Sequence, residues 1–221
     1  MNYLAHGFRF VAEPYFLAGT AAPDWLSVID RKMRLRSKKA TEFVECDDRQ
    51  LAAFARGIVQ HHHDDQWFHQ TAAFSDLNLQ FAVEIRDCLP GDEGFRPSFL
   101  GHILVELLLD ASLAEEDSSR LDEYYAALAE LDPIRVQGLV NSLATTDSDR
   151  ITALIPRFAS ERFLYDYLDD TRLLMRLNHV MRRVGLPQLP EELNALFPAM
   201  RDRVRDRRHE LLPAERFKNE R

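Results

Sequence analysis

The residues best suited to do chemistry fall on two stripes. In Gly57-Ile58-Val59-Gln60-His61-His62-His63-Asp64-Asp65-Gln66-Trp67-Phe68-His69, the residues His61, Asp65 and His69 recur every four positions. On an α-helix each such step passes a full turn by about 40° and climbs roughly 6 Å, so the three side chains share one face. In Leu100-Gly101-His102-Ile103-Leu104-Val105-Glu106-Leu107-Leu108-Leu109-Asp110 the spacing repeats with His102, Glu106 and Asp110, and only aliphatic residues lie between them. A helix of that composition is buried over most of its surface, where an ionised group without a partner is costly. Imidazoles and carboxylates on two facing stripes are the donor set of a divalent cation. The expected metal ligands are therefore His61, Asp65, His69, His102, Glu106 and Asp110. The competing arrangement is a hydrogen-bonded network between two helices, satisfied without an ion. His62, His63 and Asp64 fall on other faces of the same helix, beside the stripe or at the surface. His179 and His209 read as structural or exposed.

A cation held this way lowers the pKa of a bound water and neutralises charge on phosphoryl oxygens. The chemistry expected is hydrolysis of a phosphodiester or phosphomonoester, with Asp24 or Glu106 as the base that orients the water. The one basic cluster, Arg31-Lys32-Met33-Arg34-Leu35-Arg36-Ser37-Lys38-Lys39, offers Arg31, Arg34 and Arg36 as phosphate ligands, because a guanidinium fork matches phosphate oxygens. The plainer reading of that cluster is a solvated face. An imidazole-rich site favours Mn, Fe or Zn over Mg. Two alternatives stand beside the hydrolase. A His/carboxylate di-iron site on a helical scaffold activates oxygen instead of water, and a non-catalytic helical module would use the same stripe as a structural polar network.

The stripes need helices to carry them, and the chain supplies helical patterns throughout. Residues 2–13 place Leu4, Phe8 and Val11 on one side and end at Pro14. In the short apolar segment 16–26, Pro23-Asp24 reads as a helix start or a tight bend, with Asp24 as an N-cap or a ligand. Residues 47–87 form one long helical region with an acidic start at Asp47 and Asp48. Pro90 and Gly94 bound a loop, and Pro97 opens an aliphatic helix over 98–113. Further helices are expected over 118–130, 134–145, 147–184 (broken only near Pro156) and 191–210. No alternating strand pattern of useful length occurs. The expected fold is all-α, an HD-domain-like helical bundle forming a single domain over 1–212, with a frayed tail over 213–221.

Composition bounds the rest. The chain has 221 residues, 46% of them hydrophobic, enough for a sizeable core. Acidic residues outnumber basic ones 36 to 28, a formal charge of -8, which argues against nucleic acid as a partner of the whole chain. Cys46 and Cys88 are the only cysteines and have no metal-type spacing. The N-terminus lacks a basic segment followed by an apolar run, and the apolar run Ile103–Leu109 is far too short to span a bilayer. A cytoplasmic protein without a membrane role is expected.

The motifs also resemble a family. Met1-Asn2-Tyr3-Leu4-Ala5-His6 resembles the MNFLAH-like opening of the acyl carrier protein phosphodiesterases. Leu17-Ala18-Gly19-Thr20-Ala21-Ala22-Pro23-Asp24-Trp25 resembles their next segment, a Gly-Asn followed by Leu-Leu-x-Asp-Phe, and Gly57–Asp65 resembles their G-I-x-x-H-R-x-I-D signature. His102–Glu106 sits where the family has paired aspartates, and Phe163–Arg183 is loosely like its C-terminal helix. The resemblance implies a variant of the HD phosphohydrolase fold, an all-helical core holding one or two divalent cations. It implies removal of the 4′-phosphopantetheine arm from acyl carrier protein by phosphodiester cleavage with Mn or Mg. Carried over by position, His61 and Asp65 are metal ligands, Asp24 is a metal- or catalysis-linked acid, and His6 adjoins the metal set. Thr20 stands where the family has Asn, His62 where it has Arg, His69 where it has Asp, and Glu106-Leu107 where it has Asp-His. These departures enrich the site in imidazole. They imply a divergent relative whose partner is a phosphorylated small molecule or acyl carrier protein.

Overall fold

Four aspartates among the described residues open helices by accepting from backbone amides of the first turn, Asp169 among them, from Arg172 at 2.8 Å. Asp48 accepts from Gln50 and Leu51, both at 3.1 Å, Asp117 from Arg120 at 3.1 Å, and Asp132 from Ile134 at 3.0 Å. Each satisfies donors that the helix cannot satisfy itself. The computed structural model describes residues 1–30, 32–89, 91 and 94–217. Arg31, the loop residues Pro90, Asp92 and Glu93, and residues 218–221 of the expected tail lie outside the described residues. Among the described residues the regular elements are all helices, and the one extended contact is a bridge between Leu35 and Ala144. The fold is all-α, as expected.

The span 1–212, expected to be one domain, holds residues of two compact units. The first comprises Met1–Trp67 and Asp117–Arg162, the second Phe68–Glu116 and Phe163–Arg221.

The first unit contains α1 (Tyr3–Gly7), α2 (Pro14–Ile29), α3 (Ser37–Thr41), α4 (Arg49–Phe68, which reaches the first residue of the second unit), α7 (Ser118–Ala129), α8 (Pro133–Leu143) and α9 (Ile151–Glu161). The expected first helix stops early, at Gly7. Residues 8–13 pass through turns closed by Phe10 N–H to Gly7 C=O and Glu13 N–H to Phe10 C=O. Pro14 then starts α2 at a first-turn position where its missing N–H costs nothing. Pro23 lies inside α2, so Asp24 is neither an N-cap nor the site of a bend. Burial carries the helix through the proline: Leu17, Ala18, Ala21, Ala22, Trp25 and Leu26 are all within 1% of complete burial, and packing of this kind overrides local propensity. An aromatic cluster forms the middle of the unit, with Phe158 edge-on to Tyr3 at 4.9 Å and to Trp25 at 5.8 Å.

The second unit contains α5 (Ala72–Cys88), α6 (Pro97–Glu116), a 3₁₀ turn (Phe163–Leu168), α10 (Asp170–Val184), a second 3₁₀ turn (Glu191–Leu196), α11 (Phe197–Asp206), α12 (Arg208–Leu211) and α13 (Ala214–Phe217). The helical region expected over 47–87 is two helices. Thr71 separates them with one hydroxyl, which donates to Phe68 C=O at the end of α4 and accepts from Phe74 N–H at the start of α5. The region expected over 147–184 is likewise divided, at Arg162, whose left-handed backbone (φ 45°) ends α9. The run Ile103–Leu109 is the middle of a longer helix. α6 has 20 residues and is by length and composition apolar enough to cross a membrane, with 67% of its apolar window buried inside the protein. It packs along α5, α11 and the first 3₁₀ turn.

Candidate metal centres

In the first unit, α2 and α4 cross glycine on glycine. A Cβ on Gly57 would fall 2.1 Å from the Phe16 carbonyl oxygen, and one on Gly19 would fall 2.2 Å from that of Phe54. Only hydrogen permits this approach. One turn after Gly57, the same crossing delivers His61 to the α2 backbone, where Nδ1–H donates to Thr20 C=O at 2.9 Å. A carbonyl only accepts, so the proton is on Nδ1 and Nε2 carries the lone pair. That Nε2 lies 3.5 Å from Asp65 Oδ2, one turn further along α4. His6, from α1, stacks on His61 with ring centroids 4.1 Å apart and brings its Nε2 to 3.3 Å from Asp65 Oδ1. One ligand atom from each of His6, His61 and Asp65 lies within 4.8 Å of the others.

His6 tests whether these residues fit a cation. Its ring is fully buried and neither nitrogen has a hydrogen-bond partner. Nδ1 is 3.8 Å from Asp64 Oδ2, so both ring nitrogens face carboxylates at ion-pair range without hydrogen-bond geometry. Orphaned nitrogens of this kind are satisfied by a proton or by a metal ion, and the donor set suits a divalent one. Asp64 itself is wholly buried and braced by Arg9 at 2.7 Å, Gln60 at 2.8 Å and Trp67 Nε1 at 3.2 Å. Of the three residues beside the stripe, Asp64 faces the His6 ring and His62 packs edge-on against His61, with centroids 5.3 Å apart. His62 donates to Leu35 C=O at 2.7 Å, and His63 is 56% exposed.

Burial works against charge here, and the neighbours decide the outcome. His6 is pushed up to about 8, because Asp64 and Asp65 outweigh its burial. His61 is held well below its ordinary value by burial and by the charge on His6. Asp65 is held well below the carboxylate range, since His6, His61 and the Met1 amino group, 2.6 Å from Oδ1, outweigh its burial. A folded-state value above the unfolded one gives His6 a stabilising role that is complete below pH 6.5 and is lost as pH rises through about 8. The rise corresponds to about 2 kcal/mol. In EDTA, the urea midpoint is therefore expected to fall between pH 6.5 and 8.5, and His6→Gln to flatten that dependence. An equal slope in the variant would show that another group carries it.

In the second unit, α6 lies close against α5 at Gly101, where a Cβ would be 2.7 Å from the Asn78 carbonyl oxygen. The next residue, His102, brings Nε2 to 3.2 Å from Glu106 Oε1. His69, from the break before α5, brings its own Nε2 to 3.0 Å from the same oxygen. Phe74 packs edge-on against both rings, at 4.8 Å and 4.9 Å. His69, His102 and Glu106 are a second set of ligand atoms within 4.8 Å of one another. Their side chains are 32%, 40% and 17% exposed, so this set is open to solvent. Glu106 is held well below its ordinary value: burial opposes ionisation, and the positive charge of the chain's amino group, with hydrogen bonds from His102 and His69, outweighs it. As hydrogen bonds, both Nε2–H groups donate to Glu106. As ligands, both rings must carry the proton on Nδ1 instead.

The six expected ligands are thus divided. His61 and Asp65 join His6, while His69 joins His102 and Glu106. Asp110 is 1% exposed on α6 and belongs to neither set. Asp24, half-buried in α2, is outside both as well. Arg34 and Arg36 are exposed on an extended segment whose alternate residues, Met33 and Leu35, are buried, and Arg31 lies outside the described residues. Sequence reasoning missed Arg9 and the Thr20 carbonyl. The signal available for the latter was the pair Gly19 and Gly57, each one turn or less from a site residue.

Comparison of the chain with protein-family models, with curated proteins and with solved structures finds no match. What the fold and sites define is an all-α protein with two His/His/carboxylate groups able to hold a metal ion.

Proposed function

We propose that the protein is a divalent-metal-dependent phosphoester hydrolase, a divergent HD-like relative of the acyl carrier protein phosphodiesterases. The observation that supports this most is the set of His69, His102 and Glu106, two imidazoles and one carboxylate that converge with each side chain partly exposed. A divalent ion held there supplies Lewis acidity and a bound water of lowered pKa. In this reading Glu106 serves as a metal ligand beside the two imidazoles. Phe74 holds the two imidazoles in register against it. The more enclosed His6, His61 and Asp65 hold an ion in a structural role. Mn, Fe or Zn fits these imidazole-rich sets better than Mg, and the substrate is a phosphorylated small molecule or a carrier protein.

One observation favours a second reading. Two imidazoles and a carboxylate are also the ligand set of ferrous oxygenases. Elemental analysis of the purified protein separates the possibilities. We expect an ion in each set, and loss of the first-unit ion alone in the His61→Ala/Asp65→Ala variant. Redox-active iron with visible absorption would favour the oxygenase. Absence of stoichiometric metal would leave a hydrogen-bonded network and end the hydrolase reading.

A further inference from the structure

A concavity of the second unit, about 710 Å³, lies between α10 and the chain that returns beside it, and no member of either metal set lines it. That is the size of pocket small ligands occupy. Hydrogen bonds tie its walls together. α10 ends at Gly185 (φ 73°), with Gly185 N–H donating to Arg182 C=O and Leu186 N–H to Met181 C=O, the paired bonds that close a helix. Pro187 and Pro190 stiffen the return. Asn178 clips it to the helix, accepting from Leu189 N–H at 2.7 Å and donating to Leu189 C=O at 3.3 Å.

The lining has three kinds of surface. Leu174, Leu186, Leu189 and Met175 form an apolar floor, and Met175 is 41% exposed. Arg182 stands on the α10 side and Glu191 on the first residue of the 3₁₀ turn. They line one cavity without pairing with each other, and neither has another ion-pair partner among the described residues. Asn194 adds a buried Oδ1 that accepts no hydrogen bond. A simple anion would suit Arg182 and be repelled by Glu191, and a simple cation the reverse. A molecule carrying both charges satisfies both walls, its ammonium meeting Glu191 and the Asn194 oxygen, its carboxylate meeting Arg182.

We infer that this cavity binds a short apolar peptide with free termini, its side chains on the leucine and methionine floor. The site is independent of the metal-dependent reaction proposed above. The test is calorimetric titration of the full chain with leucyl-leucine, N-acetyl-leucyl-leucine and leucyl-leucinamide. The free dipeptide binds saturably, one per chain. Each blocked form binds about tenfold more weakly or worse, as expected for loss of one charge-assisted hydrogen-bonded pair. Arg182→Gln abolishes the preference for a free carboxylate and Glu191→Gln the preference for a free amine, each leaving the other preference intact. Both residues are exposed, so the variants fold. Non-saturable binding, equal affinity for free and blocked dipeptides, or variants that bind as the wild type would each overturn the assignment.

Discussion

Glu106→Gln is expected to reduce Mn-supported hydrolysis of bis(p-nitrophenyl) phosphate by about three orders of magnitude, the scale on which loss of a metal-held water is felt. The side chain keeps its shape, and its remaining carbonyl oxygen can still accept from one of the imidazoles that now reach Glu106 Oε1 at 3.0 Å and 3.2 Å. What disappears is the negative charge that both rings stabilise and that a cation requires. The melting temperature should therefore move little while metal content in the second unit and rate fall together. His63→Ala, at a position 56% exposed on α4, is the control and should leave both unchanged. Full activity in Glu106→Gln would remove the second-unit set from the mechanism. Loss of rate with metal retained would return Glu106 to the role of base.

Gly57→Ala is expected to destabilise the first unit by about 3 kcal/mol, at the upper end of overpacking costs. At the size of this chain that lowers the melting temperature by roughly 6–12 °C. The added methyl would lie 2.1 Å from Phe16 O, 2.8 Å from Gly19 Cα and 2.9 Å from Thr20 N. All three are backbone atoms, so no side chain can rotate out of the way and α2 must move off α4. The sign is informative, because glycine to alanine inside an unobstructed helix stabilises by up to about 1 kcal/mol. Gly138→Ala in α8, where nothing lies within 4 Å of the new Cβ, should show that gain. Separation of the helices also lengthens the bond from His61 Nδ1 to Thr20 C=O, so metal affinity of the first-unit set should fall with stability. Scanning calorimetry of both variants with and without Mn reads both effects.

Much of the local design was legible from residue order alone. The four-residue spacing put His61 with Asp65 and His102 with Glu106, because a helix repeats its faces at that interval whatever surrounds it. Asp48 and Pro97 marked helix starts for reasons confined to one turn. All-α content followed from the same short-range rules. The helix breaks were less accessible, since Thr71 caps two helices at once and Pro23 is tolerated only because its helix is buried.

Tertiary structure decided which residues from different helices meet. His6 is 55 positions from His61 yet stacks on it. His69 shares the spacing of His61 and Asp65 but is beyond the end of α4, and its partners are His102 and Glu106. Asp110 keeps the stripe of His102 and Glu106 and joins neither set. Spacing along a helix is set by backbone geometry within a few residues, whereas the choice of partner depends on how closely two helices approach. Here that approach is governed by the absent side chains of Gly19, Gly57 and Gly101. Their effect is expressed only once the helices are packed.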